Sequence, residues 1–104
     1  MIDAIINRLN GKKILITGFG REGKSTLRFL QKYLPDVMIG IADKNESAFQ
    51  DVDKERYELF SGDDYLNVAT DYDVIVKTPG ISVNNIEIDC SKITSQTDLF
   101  LEAY

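Results

Sequence analysis

Residues 13–25 read KILITGFGREGKS, and this stretch decides the fold class. Its short apolar run ends at Gly18, which is typical of a strand buried on both faces of a parallel sheet. After residue 22 the apolar positions take a helical period, with Leu27, Leu30 and Leu34 on one face. A buried strand, a glycine turn and an amphipathic helix predict the first unit of an α/β fold.

The rest of the chain continues this alternation of strands and helices. Residues 2–9 have helical spacing and end at Asn10-Gly11, which favours a helix stop. Short strands are predicted at 37–42, 57–60, 73–77 and 92–95, short helical turns near 47–49 and 65–69, and a last helix after Thr97. Strands that alternate with helices pair in parallel through right-handed crossovers. We therefore predict one α/β domain over residues 1–104, with five parallel strands.

The composition narrows the possible functions. With 12 Lys and Arg against 17 Asp and Glu, the net charge is −5, which argues against binding a nucleic-acid backbone. The chain has no His and only one Cys, Cys90, which excludes His-based catalysis, an internal disulfide and a Cys-cluster metal site. No signal-peptide or membrane-spanning segment is recognisable, so we expect a cytoplasmic location and no membrane partner.

Residues 18–23 fit the pattern G-x-G-x-x-G between a predicted strand and a predicted helix. Gly18 is expected to allow a tight turn, Gly20 a close approach of a ligand, and Gly23 close packing of the helix on the strand. Asp43 lies twenty residues after Gly23, at the end of the second strand, where a carboxylate can accept hydrogen bonds from a nucleotide. Together these features indicate nucleotide binding, with a plain strand–turn–helix as the alternative.

The same residues also satisfy the P-loop pattern, because Lys24 and Ser25 follow Gly23. In a P-loop, Lys24 would contact phosphates and Ser25 would contact Mg²⁺. The additional Gly20 suits the dinucleotide-type turn better, and in that geometry Lys24 lies in the first helical turn and faces solvent. We therefore keep the P-loop as a minor alternative.

The segment 72–81, YDVIVKTPGI, predicts a buried strand that stops at Thr78-Pro79-Gly80. Such a turn offers the backbone N–H of Gly80 to a ligand, although Pro-Gly fits an ordinary strand-ending turn equally well. In parallel sheets, ligands bind at the carboxyl ends of the strands, near the point where strand order reverses. The glycine turn, Asp43 and Thr78 are thus expected at one edge of the sheet.

Four segments in this order resemble the N-terminal domain of the Mur ligase family: GKKILITGFGREGKST (11–26), IAD (41–43), DVIVKTPGI (73–81) and ITSQTDLFLEAY (93–104). The resemblance spans nearly the whole chain. It implies a Rossmann-like three-layer sandwich with a five-stranded parallel sheet. It also implies that the ligand is the UDP part of UDP-N-acetylmuramoyl-L-alanine and not NAD.

The resemblance also assigns roles to individual residues. Matching positions imply that the turn at Gly20, Arg21 and Glu22 lies against the uridine. They imply that Asp43 accepts a hydrogen bond from the uracil ring, with further contacts from Lys44 and Asn45.

At the other turn, the resemblance implies that Gly80 offers its N–H to the diphosphate, while Thr78 and Pro79 shape the backbone. The family continues beyond such a domain into an ATP-binding domain and a C-terminal domain. There, ATP with Mg²⁺ activates the substrate carboxylate as an acyl phosphate, which the amine of D-glutamate attacks. We therefore expect a fragment that binds part of the substrate, has no catalytic residue and holds no cofactor or metal of its own.

Two other classes of protein share some of these features. Nucleotide-sensing modules that gate potassium transport also have a G-x-G-R-x-G turn, an acid after the second strand and a Gly-Asp pair, as in Gly62-Asp63. They bind NAD or adenine nucleotides. A dehydrogenase fragment is the third alternative, but no candidate catalytic group is present. The TPGI and TDLF segments favour the Mur ligase interpretation.

Overall fold

The computed structural model describes residues 2–62, 67–78 and 92–95. Two α-helices, α1 (Ile2–Leu9) and α2 (Arg21–Tyr33), and two 3₁₀ helices, Glu46–Phe49 and Asn67–Asp71, lie within this part. It also contains five strands, β1 (Lys13–Thr17), β2 (Met38–Ala42), β3 (Glu58–Phe60), β4 (Val74–Lys77) and β5 (Ile93–Thr94). The predicted order of strands and helices is confirmed over these residues. The predicted helix after Thr97 lies outside them.

The five strands form one sheet in the order β3-β2-β1-β4-β5, and every pair is parallel. The chain builds outward from β1 to β2 and β3, then crosses back to place β4 on the other side of β1. The strand order therefore reverses between β1 and β4, where their ends Thr17 and Lys77 are in register. The predicted Rossmann-like α/β fold is confirmed.

Apolar side chains cover both faces of the sheet, as the continuous apolar strands predict. On the first face, Ile14, Ile16 and Ile41 pack with residues of α1 and α2, including Leu9 and Leu30. On the second face, the 3₁₀ helix Asn67–Asp71 covers a smaller cluster: Leu15, Ala42, Ala69, Tyr72 and Ile75. The sheet is thus the middle of three layers.

Four strands, β2 to β5, begin one residue later than predicted. For β2 and β3 the reason is the same. The N–H of Val37 donates to the carbonyl of Leu34 at 3.3 Å, and the N–H of Tyr57 donates to the carbonyl of Asp53 at 3.3 Å. Because each amide closes the preceding turn, it is not free to begin the strand. Among the described residues, no helix is long and apolar enough to cross a membrane.

The amino end of the sheet holds a cluster that the sequence pattern did not predict. The ring of Tyr72 lies against β2 at Gly40, where an added Cβ would meet its Oη, Cζ and Cε1 atoms. The Tyr72 hydroxyl donates to Glu58 Oε1 at 3.0 Å. Lys13 Nζ lies 4.7 Å from the centre of the same ring and 3.8 Å from Glu58 Oε1. This cluster ties three strands together, with Lys13 at the end of β1 opposite the glycine turn.

Candidate functional site

The carboxyl end of β1 leads into the glycine turn, as the sequence predicts. Gly18 has φ +83°, a left-handed conformation that favours glycine, and its N–H donates to the carbonyl of Ala42 at 2.7 Å. This bond holds the turn against the end of β2. Gly20 is the N-cap residue of α2, which begins at Arg21, so the first free amides of the helix lie at the sheet edge.

The structure requires a glycine at position 23 but not at position 20. A Cβ on Gly23 would meet the carbonyl oxygen of Gly18 and would lie 3.4 Å from Ile16 Cγ2, so this glycine lets α2 pack closely on β1. A Cβ on Gly20 would meet no described atom within 4 Å, and its φ of −85° is open to any residue. Neither packing nor conformation in the described chain therefore explains Gly20.

Asp43 follows β2 and joins two turns. Its Oδ2 accepts a hydrogen bond from the N–H of Phe19 at 2.7 Å, and its Oδ1 accepts one from the N–H of Asn45 at 2.8 Å. The N–H of Asp43 donates to the carbonyl of Phe60 at 3.0 Å, at the end of β3. The structure thus brings Asp43 and the glycine turn together, as predicted, and directs the carboxylate to the backbone.

The remaining predicted residues of these two turns lie at the surface. Arg21, Lys44 and Asn45 are exposed, and Glu22 is partly exposed in the first turn of α2. The carbonyl of Lys44 accepts a hydrogen bond from the N–H of Gly62 at 3.2 Å. Two exposed cationic residues therefore belong to these turns, Arg21 at the start of α2 and Lys44 directly after Asp43, in a chain of net charge −5.

The end of β4 is fastened to β1 through two threonines. Thr78 donates to the carbonyl of Thr17 from both its N–H, at 3.2 Å, and its Oγ1, at 2.9 Å. Both residues are buried. This contact brings the third predicted segment to the glycine turn, since Gly18 directly follows Thr17. The predicted Pro79 and Gly80 lie outside the described residues.

Sequence reasoning did not single out Phe19, although it is central to the turn. Its side chain is only 4% exposed, and its ring centre lies 6.3 Å from that of Phe49. An apolar residue between two glycines is the signal that could have indicated an anchor for the turn.

A cleft of about 290 Å³ between α2 and residues 51–57 was also not predicted. Phe19 lies at one end of it, and the hydroxyl of Tyr57 accepts a hydrogen bond from Gln31 Nε2 at 2.7 Å. Lys24, which the P-loop pattern would direct to phosphates, is exposed and lines this cleft, with its Nζ 5.9 Å from the centre of the Phe19 ring.

The edge offers backbone hydrogen-bond donors and exposed charged side chains. Its elements are the amides at the start of α2, the open side of Gly20, and the exposed Arg21 and Lys44. No group of three or more His, Cys, Asp or Glu that could hold a metal occurs in the part of the chain that the structure describes. Such an edge can bind a polar or anionic ligand.

The fold and the glycine turn define the chain as a Rossmann-like domain, a class in which ligands bind at the point where strand order reverses, here between β1 and β4. Comparison with curated proteins identifies relatives that share one name. UDP-N-acetylmuramoylalanine–D-glutamate ligase of Limosilactobacillus reuteri is 31% identical over 77% of this chain. The enzymes so named from Ligilactobacillus salivarius and Caldicellulosiruptor saccharolyticus are 28% and 33% identical over 85% and 70% of the chain.

The chain is therefore related in sequence to the Mur ligases, and the resemblance that its motifs indicate is confirmed. It spans about a fifth of the length of these relatives, with 18%, 20% and 17% of each covered. No protein-family model matches the chain.

Proposed function

We propose that residues 1–104 form the domain that binds the UDP part of UDP-N-acetylmuramoyl-L-alanine in a D-glutamate-adding Mur ligase of peptidoglycan synthesis. The observation that carries this proposal is the edge of the sheet where the strand order reverses between β1 and β4. The shared name of the relatives supports it. The ATP- and Mg²⁺-dependent ligation would require parts of the enzyme that lie beyond this domain.

The base and ribose are proposed to lie against the two turns that Asp43 joins. Gly20 supports this position, because its open side gives a ligand access to the backbone and no described neighbour needs the space. Lys44 and Asn45 form the other wall of this position, next to the end of β3.

The diphosphate is proposed to extend toward the end of β4, where Thr78 fixes the strand beside β1. Gly80 is proposed to donate its N–H there, with Pro79 shaping the turn. Arg21, on the first turn of α2, supplies positive charge at the same edge, which favours an anionic ligand in an acidic chain. Glu22 and Gly23 complete this first turn, Gly23 by its packing on Gly18.

The test is an NMR titration of the ¹⁵N-labelled chain with UDP, UDP-N-acetylmuramoyl-L-alanine, NAD and ATP in parallel. We expect shifts of the amides in residues 18–23, 43–45 and 78–80 with the two uridine ligands, and none there with NAD or ATP. A response of the same amides to NAD or ATP but not to UDP would contradict the proposal and favour a nucleotide-sensing module. Silence with both uridine ligands would also contradict it.

A further inference from the structure

Asp43 is the acid that the sequence pattern reserves for a nucleotide, yet both of its carboxylate oxygens already bind the chain. Oδ2 accepts from the N–H of Phe19 at 2.7 Å and Oδ1 from the N–H of Asn45 at 2.8 Å. These lengths are typical of charge-assisted hydrogen bonds, which are stronger than bonds between neutral groups.

The two amides belong to different turns. Phe19 lies in the turn after β1, and Asn45 lies in the turn after β2. The N–H of Asp43 itself donates to Phe60 at the end of β3. One residue therefore links the carboxyl ends of three neighbouring strands.

The bond to Phe19 also fixes the backbone that a ligand would approach. The Phe19 side chain is buried against Phe49, so the residue is held both by its ring and by its N–H. Gly20 comes next, with its open side at the edge of the sheet. Holding Phe19 in place therefore determines where the backbone of Gly20 faces.

We propose that Asp43 is a positioning residue, whose carboxylate sets the spacing of the two turns and acts on a uridine ligand through their backbone. It would then raise affinity by ordering the turns before binding, and not by accepting a hydrogen bond from the uracil or the ribose. This inference rests on the proposed function for its ligand, but the ordering of the turns is independent of it.

The first measurement is amide hydrogen exchange in the ligand-free protein. Asp43→Ala removes both acceptor oxygens, and Asp43→Asn keeps one. We expect the Phe19 and Asn45 amides both to exchange faster in Asp43→Ala, and one of the two to stay protected in Asp43→Asn. Unchanged exchange of the β1 amides would show that the sheet is intact.

Asp73→Asn is the matched control. Asp73 Oδ2 also accepts a backbone hydrogen bond, from the N–H of Lys13 at 2.8 Å, but at the opposite end of the sheet. This variant should leave the exchange of Phe19 and Asn45 and the affinity for UDP unchanged. A loss of UDP affinity equal to that of Asp43→Asn would show a general effect on stability and overturn the inference.

The second measurement separates positioning from direct contact. The affinities of the wild type and of Asp43→Asn are compared for UDP, for UDP methylated at N3 of the uracil, and for 2′-deoxy-UDP. Loss of one charge-assisted bond in the turns should weaken UDP binding about tenfold. If Asp43 acts through the backbone, the ratio of the wild-type affinity to the Asp43→Asn affinity should be the same for all three ligands.

A ratio that falls to one for the ligand without N3–H or without the 2′-hydroxyl would show a direct bond to that group and overturn the inference. If UDP does not bind the wild type, the proposed function is wrong. The exchange rates of the Phe19 and Asn45 amides still test whether Asp43 orders the turns. Equal exchange of Phe19 in the wild type and in Asp43→Ala would overturn the positioning role by itself.

Discussion

Three glycines of one short motif serve different physical purposes. Gly18 is fixed by its backbone conformation, since φ is +83°. Gly23 is fixed by space, since a Cβ would strike the carbonyl oxygen of Gly18. Gly20 is constrained by neither among the described atoms, and this is why we assign it to ligand access. The pattern predicts all three glycines, but only the structure separates their roles.

Gly23→Ala should destabilise the protein because α2 must move away from β1 to admit the new methyl group. Overpacking of this kind costs about 1–3 kcal/mol, which corresponds to a fall of roughly 5–20 °C in the melting temperature of a domain this size. Thermal unfolding followed by circular dichroism measures this loss. A melting temperature within 2 °C or so of the wild type would contradict the close contact.

Gly20→Ala is the matched substitution in the same turn. The added methyl group has open space, so the melting temperature should stay close to that of the wild type. If a ligand approaches the backbone there, the affinity for UDP should fall, because the methyl group takes its place. Unchanged UDP affinity in this variant would contradict the assignment of Gly20 to the binding site.

At the scale of secondary-structure elements, a side-chain hydrogen bond adds to the backbone pairing of β1 with β4. Thr78→Val keeps the shape of the side chain but removes the Oγ1 donor to the carbonyl of Thr17. The N–H of Thr78 still donates to the same carbonyl, so we expect a loss of only about 0.5–1.5 kcal/mol in the free energy of unfolding. Urea unfolding measures it.

Thr26→Val is the control for this prediction. Thr26 is also buried, but its Oγ1 has no hydrogen-bond partner within the described part of the chain. Removing a buried hydroxyl that has no partner should leave stability unchanged or raise it slightly. Equal losses in both variants would mean that the Thr78 hydroxyl contributes through packing alone.

The elements could be predicted from the sequence because their signals are local. The run KILIT, the helical period of α2 and the apolar strand β4 each carry their own pattern, and the structure places them where that pattern lies. Contacts between distant residues carry no local signal. From the sequence alone, Gly40 would be expected to weaken β2. In the structure its missing side chain leaves the space for the ring of Tyr72, which lies 32 residues further along the chain. The bond from the N–H of Phe19 to Asp43, 24 residues further along, was hidden for the same reason.

At the scale of the whole molecule, stability should fall at high pH because of Tyr72. Burial raises the pKa of Tyr72, and its hydrogen bond to Glu58 and the charges of Glu58 and Asp71 raise it further. In the unfolded chain the phenol ionises near pH 10, while the folded state keeps the proton. The contribution of Tyr72 to the free energy of unfolding is therefore complete below about pH 10. Above that pH it is lost, by up to about 1.4 kcal/mol per pH unit.

Urea unfolding between pH 8 and pH 11, roughly the range that brackets this ionisation, measures the effect. Tyr72→Phe cannot ionise at this position, so its curve reports all other groups, including the remaining tyrosines and lysines. The wild type should lose more stability than this variant across the range. Parallel curves would show that Tyr72 ionises equally in both states.

The central position of β1 in the sheet also affects how the chain can fold during synthesis. β1 pairs on one side with β2, whose residues lie about 25 positions later, and on the other side with β4, about 60 positions later. During synthesis the β4 side of β1 therefore stays open until residue 77 has left the ribosome. An open, apolar strand edge recruits other chains. Any product truncated before residue 74 should consequently be a source of aggregates, even though its first three strands are complete.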